Sequence, residues 1–316
     1  MKISVQKKDI RKRLDKFLSG LGKTDKKFSG FSRGDFTREI KAGRILVNGL
    51  KIKPGYRLCV GDEINLDNVR KTEEKLFPNS KIELEIIYED KNIIAVNKPA
   101  GLQVHPDYNE KLNTVVNKVI SRYPEISSIT EDSSALSRMR PGIVHRLDKD
   151  TSGILAIARN KKTFDELKRM FKAKEVLKKY LAIVYGAPEE KTGIINKPLA
   201  RTSNYRRQTI AGKKTKTKIR EAITEYKLVK KLNNGLSLLE ISPKTGRTHQ
   251  IRVHLFSIGH PIVGDKLYKL KSQIANRKSH NADRQMLHAS EIRFELLGKK
   301  YHFSAKPPED FKSFLK

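Results

Sequence analysis

Residues 145–153 read HRLDKDTSG: an Arg, a Lys and two Asp set between the apolar runs GIV (142–144) and ILAIA (154–158). A buried strand does not accept four formal charges, because each would lose its water without a partner. An ordinary surface turn does not need so many. The stretch must therefore be a loop between strand ends, from which Asp148 can be presented into a cleft. Asp150 suits a turn role, since its side chain can bond the following backbone in DTSG.

The rest of the chain supplies strands and a few helices around that loop. KIELEIIYEDKNIIAVNKPAG predicts two strands with a turn at EDKN. KKTFDELKRMF predicts a helix capped by Asn160, with Phe164, Leu167 and Phe171 on one face. KKYLAIVYG alternates Tyr180, Ala182 and Val184 against Leu181, Ile183 and Tyr185, which predicts a strand. RTHQIRVHLFSIG predicts a helix that starts after a Gly turn and stops at Gly259. Before these, RLDKFLSGL places Leu14, Phe17, Leu18 and Leu21 at helical spacing. FSRGDFTREIKAGRILVNG predicts a helix capped by Ser32 and stopped at Gly43, then a strand. YRLCVGDEINL is expected to be a second strand, with Cys59 packed in its core beside Leu58, Val60 and Ile64. The polar run NVRKTEEKLFPNS, with Pro78, reads as a linker. The domains expected are 1–70, a linker at 71–80, and 81–316, in keeping with a length prior of about 100–200 residues per domain.

Charge restricts the partners. The net formal charge is +32. Residues 1–60 hold 17 Lys/Arg against 5 Asp/Glu, and residues 201–231 hold 11 against 2. A surface this basic repels itself unless it meets a polyanion, so nucleic acid is the expected partner. The second stretch is read as a basic loop feeding a strand. The positions expected to track a backbone are Arg33, Arg38, Lys41 and Arg44 in the first stretch, and Arg206, Arg207, Lys213 and Lys214 in the second. An anionic membrane surface is the rival, but the N-terminal helix is too short and too ordinary for it. No apolar run is long enough to span a bilayer and no signal peptide is visible. The single Cys leaves no internal disulfide and no multi-Cys zinc site. A reducing, cytoplasmic setting and a monomer are expected.

Several chemistries lack their residues. AGKKTK fails as a phosphate loop, because Arg207 sits where the first Gly belongs. No Gly-x-Gly-x-x-Gly follows a strand. His249 and His254 are five apart on the expected helix, which splays them, and no metal or cofactor is expected. Acid–base or nucleophilic catalysis by side chains remains.

GIVHRLDKDTSG resembles the active-site signature of the RluA-type pseudouridine synthases. Four further segments are similar, in family order: VNKPAGLQVHP (96–106), KKYLAIVYG (178–186), KTGRTHQIRVHLFSIGHPIVGDKLY (244–268) and MLHASEIRF (286–294). SRGDFTREIKAGRILVNG with VGDEI resembles the S-four-type RNA-binding domain that often precedes this catalytic domain. The resemblance implies an α+β fold, a mixed and mostly antiparallel sheet preceded by a small α/β RNA-binding domain. It implies isomerisation of uridine to pseudouridine without a cofactor, in ribosomal RNA of the large subunit rather than transfer RNA. The essential carboxylate falls on Asp148, as nucleophile or as the carboxylate that steadies the cleaved sugar. Tyr180 would stack on the base and help remove a proton. Arg252 would pair with Asp148 and hold it ionised, with Arg247 the competing candidate. Arg146 would fill the space left by a flipped-out base. His145 and Thr151 would be scaffolding for the loop, and Asp265 structural. A protein of this fold that binds RNA without activity is the other reading, which an altered Asp148 or Tyr180 would have signalled; both are present.

Overall fold

The computed structural model describes residues 1–316 except 30, 68, 70–74, 108, 132–134, 203–206, 213–214, 216, 271–281 and 316. The chain divides into two compact units, residues 1–76 with 130–139, and residues 77–129 with 140–316. Part of the linker expected at 71–80 lies outside the described residues.

The first unit contains β1 (Lys2–Ser4), α1 (Leu14–Thr24), α2 (Arg33–Lys41), β2 (Leu46–Val47) and β3 (Glu63–Asn65). β3 lies between β1 and β2, antiparallel to both. The helices bury Leu14, Leu18, Phe36 and Ile40 against Ile45, Val47 and Ile64, the apolar stripe that helical spacing requires. Ser32 caps α2 in a reciprocal box. Its Oγ accepts from the Asp35 N–H at 3.2 Å, and the Asp35 carboxylate accepts from the Ser32 N–H at 2.7 Å.

The strand expected across YRLCVGDEINL is shortened to Glu63–Asn65, and Cys59 is exposed rather than packed in the core. The reason is local. The Asp62 carboxylate accepts the Cys59 N–H at 2.8 Å, and the Asp62 N–H donates to the Cys59 carbonyl at 3.3 Å. This closes a turn through Gly61, whose φ is 81°, and breaks the two-residue period. Leu58 and Ile64 stay buried on either side while Cys59 and Val60 face out.

The second unit is built on β4 (Glu85–Glu89), β5 (Ile93–Lys98), α3 (Val115–Arg122), β6 (Ser152–Ala158), α5 (Lys161–Ala173), β7 (Leu177–Tyr185), β8 (Thr192–Asn196), β9 (Leu199–Arg201), β10 (Gln208–Ile210), β11 (Ile223–Lys231), β12 (Leu236–Pro243), α6 (Gln250–Ser257), β13 (Leu287–Leu296) and β14 (Lys299–Ser304). The short α4 (Ala135–Arg138) belongs with the first unit. The main sheet runs β4-β5-β6-β13-β7-β12-β11-β8, with β14 also on β13. Among the described strands every pairing is antiparallel except β6–β13. The mixed, mostly antiparallel sheet is therefore as expected.

β6 is buried along its whole length, which is why ILAIA is a continuous apolar run and not an alternating one. Phe164 and Leu167 of α5 share its core, and Ile251 and Leu255 of α6 pack in a second core with β7 and β12. Asn160 caps α5 by accepting the Thr163 N–H at 2.9 Å. The basic stretch after residue 200 is not simply a loop. β9 and β10 form a small antiparallel ladder, anchored where Leu199 meets Ala222, Val253 and Tyr268.

Candidate active site

One row of paired residues brings the distant motifs together. Gly153 on β6 pairs with Ala289 on β13, Ala289 with Tyr180 on β7, and Tyr180 with Ile241 on β12. The row starts where the HRLDKDTSG loop enters β6. It ends on β12, whose chain continues through residues 244–249 into α6. Gly153 has φ 114°, and a Cβ there would lie 2.1 Å from the Ala289 carbonyl oxygen. Only glycine lets these strands approach so closely at the root of the charged loop.

The loop is held from beneath. Lys98 is fully buried, and its ammonium donates to the carbonyls of Pro99 (2.7 Å), Leu102 (2.8 Å) and Lys149 (2.8 Å). Burial pushes its pKa down to about 7, against the opposing charges of Asp150 and Asp148. The Thr151 N–H closes the turn onto the Asp148 carbonyl at 3.1 Å, so the Asp150 side chain is not the closing group. Arg284, paired with Asp310 at 2.6 Å, donates to the Asp150 carbonyl at 3.1 Å. Thr151 accepts from the Gln285 amide at 3.3 Å. His145 Nε2 accepts the Ala156 N–H at 2.9 Å, and its ring stacks on Phe171 with centroids 4.8 Å apart. Burial, with Lys178 nearby, lowers its pKa to about 3. The imidazole is thus neutral, which an acceptor nitrogen demands.

Above this platform, Arg252 joins two carboxylates. Its Nε and Nη2 grip Asp265 at 2.6 and 2.9 Å, and its Nη1 donates to Asp148 Oδ2 at 2.9 Å. Asp265 has a fully buried side chain and also accepts the Leu267 and Tyr268 N–H groups at 2.8 and 3.0 Å. Burial works against the Arg252 charge, but Asp265 and then Asp148 more than offset it, so its pKa is raised. His249 Nε2 lies 3.9 Å from Asp148 Oδ2, and its Nδ1 is 3.0 Å from the Tyr268 hydroxyl. No hydrogen bond to Asp148 Oδ1 is made by the described residues, and Asp148 lines a cleft of about 540 Å³. Tyr180 lines the same cleft. Burial first, and the Asp148 charge second, push its pKa well up, so it stays a neutral phenol.

A family model described as RNA pseudouridylate synthase matches residues 92–257, more than half of the chain. An RNA pseudouridine synthase of Aquifex aeolicus is 36% identical over 307 residues, covering 95% of this chain and 92% of that protein. The chain belongs to the RNA pseudouridine synthase family. A model described as S4 domain matches residues 12–64. A protein of Buchnera aphidicola named ribosomal large subunit pseudouridine synthase D is 34% identical, covering 96% of this chain and 93% of that one. The solved structure of human RNA pseudouridylate synthase domain containing 1 has a TM-score of 0.58 and 28% identity, covering 74% of this chain and 87% of that chain.

Within this member of the family, the sequence left Arg252 and Arg247 open as partners of Asp148, and the geometry brings Arg252 to it. Arg247 lines the cleft, but its Nε donates to the Glu221 carbonyl at 3.0 Å. Arg146 also lines the cleft and is exposed. Arg207 donates to the Leu267 carbonyl and lies over the Tyr268 ring at 5.6 Å. Arg206, Lys213 and Lys214 lie outside the described residues. In the first unit Arg33 pairs with Asp15 (2.8 Å), Arg44 with Glu39 (2.7 Å) and Arg38 with Asp35, while Lys41 is exposed. Those three carboxylates are buried and the guanidinium groups reach outward from them.

Sequence reasoning missed three residues. Asp265 was read as structural, yet it is the clamp that aims Arg252. His249 precedes α6 with a left-handed backbone at φ 56° and faces Asp148, so it is not splayed along a helix. Lys98 supports the loop from VNKPAG. The available signals were charges set among apolar residues in VGDKLY and VNKPAG, where a buried charge needs a partner.

Proposed function

We propose that this protein converts uridines of large-subunit ribosomal RNA to pseudouridine in the cleft framed by Asp148, Tyr180 and Arg252. The observation that carries the reading is the Arg252 bridge, which is anchored on buried Asp265 and bonds only one oxygen of Asp148. The reaction breaks the C1′–N1 bond of uridine, turns the uracil and joins C1′ to C5. C5 gives up its proton and N1 gains one, so no redox partner or group donor is consumed. Asp148 acts as nucleophile or as the carboxylate that steadies the cleaved sugar. Either role uses Oδ1, which Arg252 leaves free. Tyr180 stacks on the base, a role that its neutral phenol suits better than proton removal. Arg146 fills the stack vacated by the flipped nucleotide, at whose cost of a few kcal/mol the base enters the cleft.

The S4-type match and the basic surface support RNA as partner. The names of the relatives support the large ribosomal subunit as its source. No helix among the described residues is long and apolar enough to cross a membrane, and the protein is read as a cytoplasmic monomer. Pseudouridine mapping of ribosomal and transfer RNA from cells with and without the gene tests the assignment. Loss of one or more large-subunit sites, restored by the wild type and not by Asp148→Asn, is expected. Loss confined to transfer RNA would overturn the ribosomal assignment.

A further inference from the structure

The motif VNKPAGLQVHP carries, one residue before its end, a histidine that the proposed reaction does not use. His105 is buried, and its Nδ1 lies 3.1 Å from the Pro106 carbonyl. A carbonyl can only accept, so Nδ1 carries the proton and Nε2 is an acceptor. That acceptor takes Arg146 Nη1–H at 3.4 Å. Burial, and then the charge of Arg140, push the His105 pKa down to about 4, so the ring stays neutral and does not repel Arg146.

Arg140 stands beside this pair. Its Nε is buried with no hydrogen-bond partner. Burial and the neighbouring Arg146 charge both work against its own charge. Neither Arg140 nor Arg146 makes an ion pair with a carboxylate among the described residues. The nearby carboxylate, Asp107, is occupied by the Asn109 and Glu110 N–H groups at 2.8 and 3.0 Å. Two guanidinium groups without a carboxylate between them, one with an orphaned buried N–H, form an arrangement that is unfavourable until an anion arrives. Arg146 lines the cleft two residues before Asp148, so an anion bound by this pair would sit at the cleft.

We infer that Arg140 and Arg146, with His105 as the neutral rest for Arg146, form a binding site for one phosphodiester of the RNA beside the target nucleotide. A phosphodiester is a planar fork's natural partner: its two unesterified oxygens take paired N–H donors, and its negative charge between the two cations offsets their mutual repulsion. The site holds Arg146 at the cleft by its other face before the base is displaced. The inference rests on RNA being the substrate.

The test measures affinity for a uridine-rich single-stranded RNA over a salt series, and steady-state pseudouridine formation on large-subunit ribosomal RNA, with full-length protein. Arg140→Gln is expected to weaken binding about tenfold at low salt. It should reduce the log–log salt slope by about 0.7, the share of one phosphate on a single strand. KM should rise with kcat nearly unchanged, the pattern of lost ground-state binding. Arg140→Lys should restore the slope but not the full affinity, since an ammonium keeps the charge and loses the fork. Arg146→Gln should lose the same slope, and the double variant no more than either single one, because one phosphate is shared. Additive slope losses would mean two separate contacts and would overturn the site. So would an Arg140→Gln protein that melts like wild type and keeps its slope. If Arg140→Gln fails to fold, the slope of Arg140→Lys against Arg146→Gln decides the same question. A wild type that binds no RNA would overturn the functional reading itself, a result distinct from any of these.

Discussion

Asp265→Asn isolates the clamp behind the carboxylate. The substitution keeps the shape and one oxygen, so the Leu267 and Tyr268 N–H groups and Arg252 Nη2 retain an acceptor. The other oxygen becomes an amide nitrogen facing Arg252 Nε–H across what is now a 2.6 Å bond. Two donors then meet in a place where the residue-265 side chain is fully buried and that of Arg252 is 6% exposed. Breaking a buried pair by altering one partner costs about 3–5 kcal/mol, because the other charge remains. The two retained backbone bonds hold the expectation at the lower end, about 3 kcal/mol. For a unit of this size the melting temperature should fall by roughly 6–12 °C, at about 2–4 °C per kcal/mol. The catalytic effect should be separate and larger. Arg252 loses the side that fixes its angle, and a carboxylate displaced by about 1 Å costs about a hundredfold in rate. Single-turnover pseudouridine formation, run well below the lowered melting temperature, measures this, with RNA affinity as the control. Affinity should stay near wild type, since Asp265 faces away from solvent. A rate within about threefold of wild type at a temperature where the variant is folded would refute the chain of aim from Asp265 through Arg252 to Asp148.

Asp148→Asn should abolish product formation and leave RNA affinity nearly intact; turnover within about tenfold of wild type would remove Asp148 from the centre of the reaction. Gly153→Ala should destabilise the second unit by about 3 kcal/mol or more, because its Cβ would press on the Ala289 carbonyl at a positive φ; a melting temperature equal to wild type would contradict the close β6–β13 approach. His105 and His145 are held neutral, at about 4 and about 3 against an ordinary value of 6.5. The unfolded chain therefore binds more protons below 6.5, and stability is full above that pH and falls as pH drops toward 4. At pH 5 each buried ring should cost about 2 kcal/mol. Urea unfolding at pH 7 and pH 5 should show this loss, reduced in His145→Gln by the share of one ring; equal stability at both pH values would show that the rings are not held neutral.

Much of the site was legible because its signals are short-range. A run of charges between apolar runs had to be a loop. Ser32 and Asn160 announce helix starts because a cap acts within three residues. The continuous apolar run of β6 follows from both of its faces being covered. The reading of Cys59 failed for the same kind of reason, on a smaller scale. Leu58, Val60 and Ile64 look like one strand face until the Asp62 carboxylate folds the backbone back on Cys59.

The sequence by itself determined that Asp148 stands in a loop leading into a buried strand, that the chain carries the family's motifs in order, and that its surface suits a polyanion; the strand expected at GIV before the loop is only an isolated bridge from Ile143 to Ile157. The resemblance put Arg252 ahead of Arg247 as the partner of Asp148, but the residues alone did not exclude Arg247, because the two lie on either side of the start of one helix and both are cationic. Only the tertiary structure decided that. The row Gly153–Ala289–Tyr180–Ile241 fixes where β12 ends, the backbone at His249 sets how α6 begins, and Asp265 from a later segment turns Arg252 toward Asp148. Caps, turns and faces are settled between neighbours in the chain. The partner of a buried charge is settled by distances between segments far apart in sequence, and those exist only once the sheet has formed.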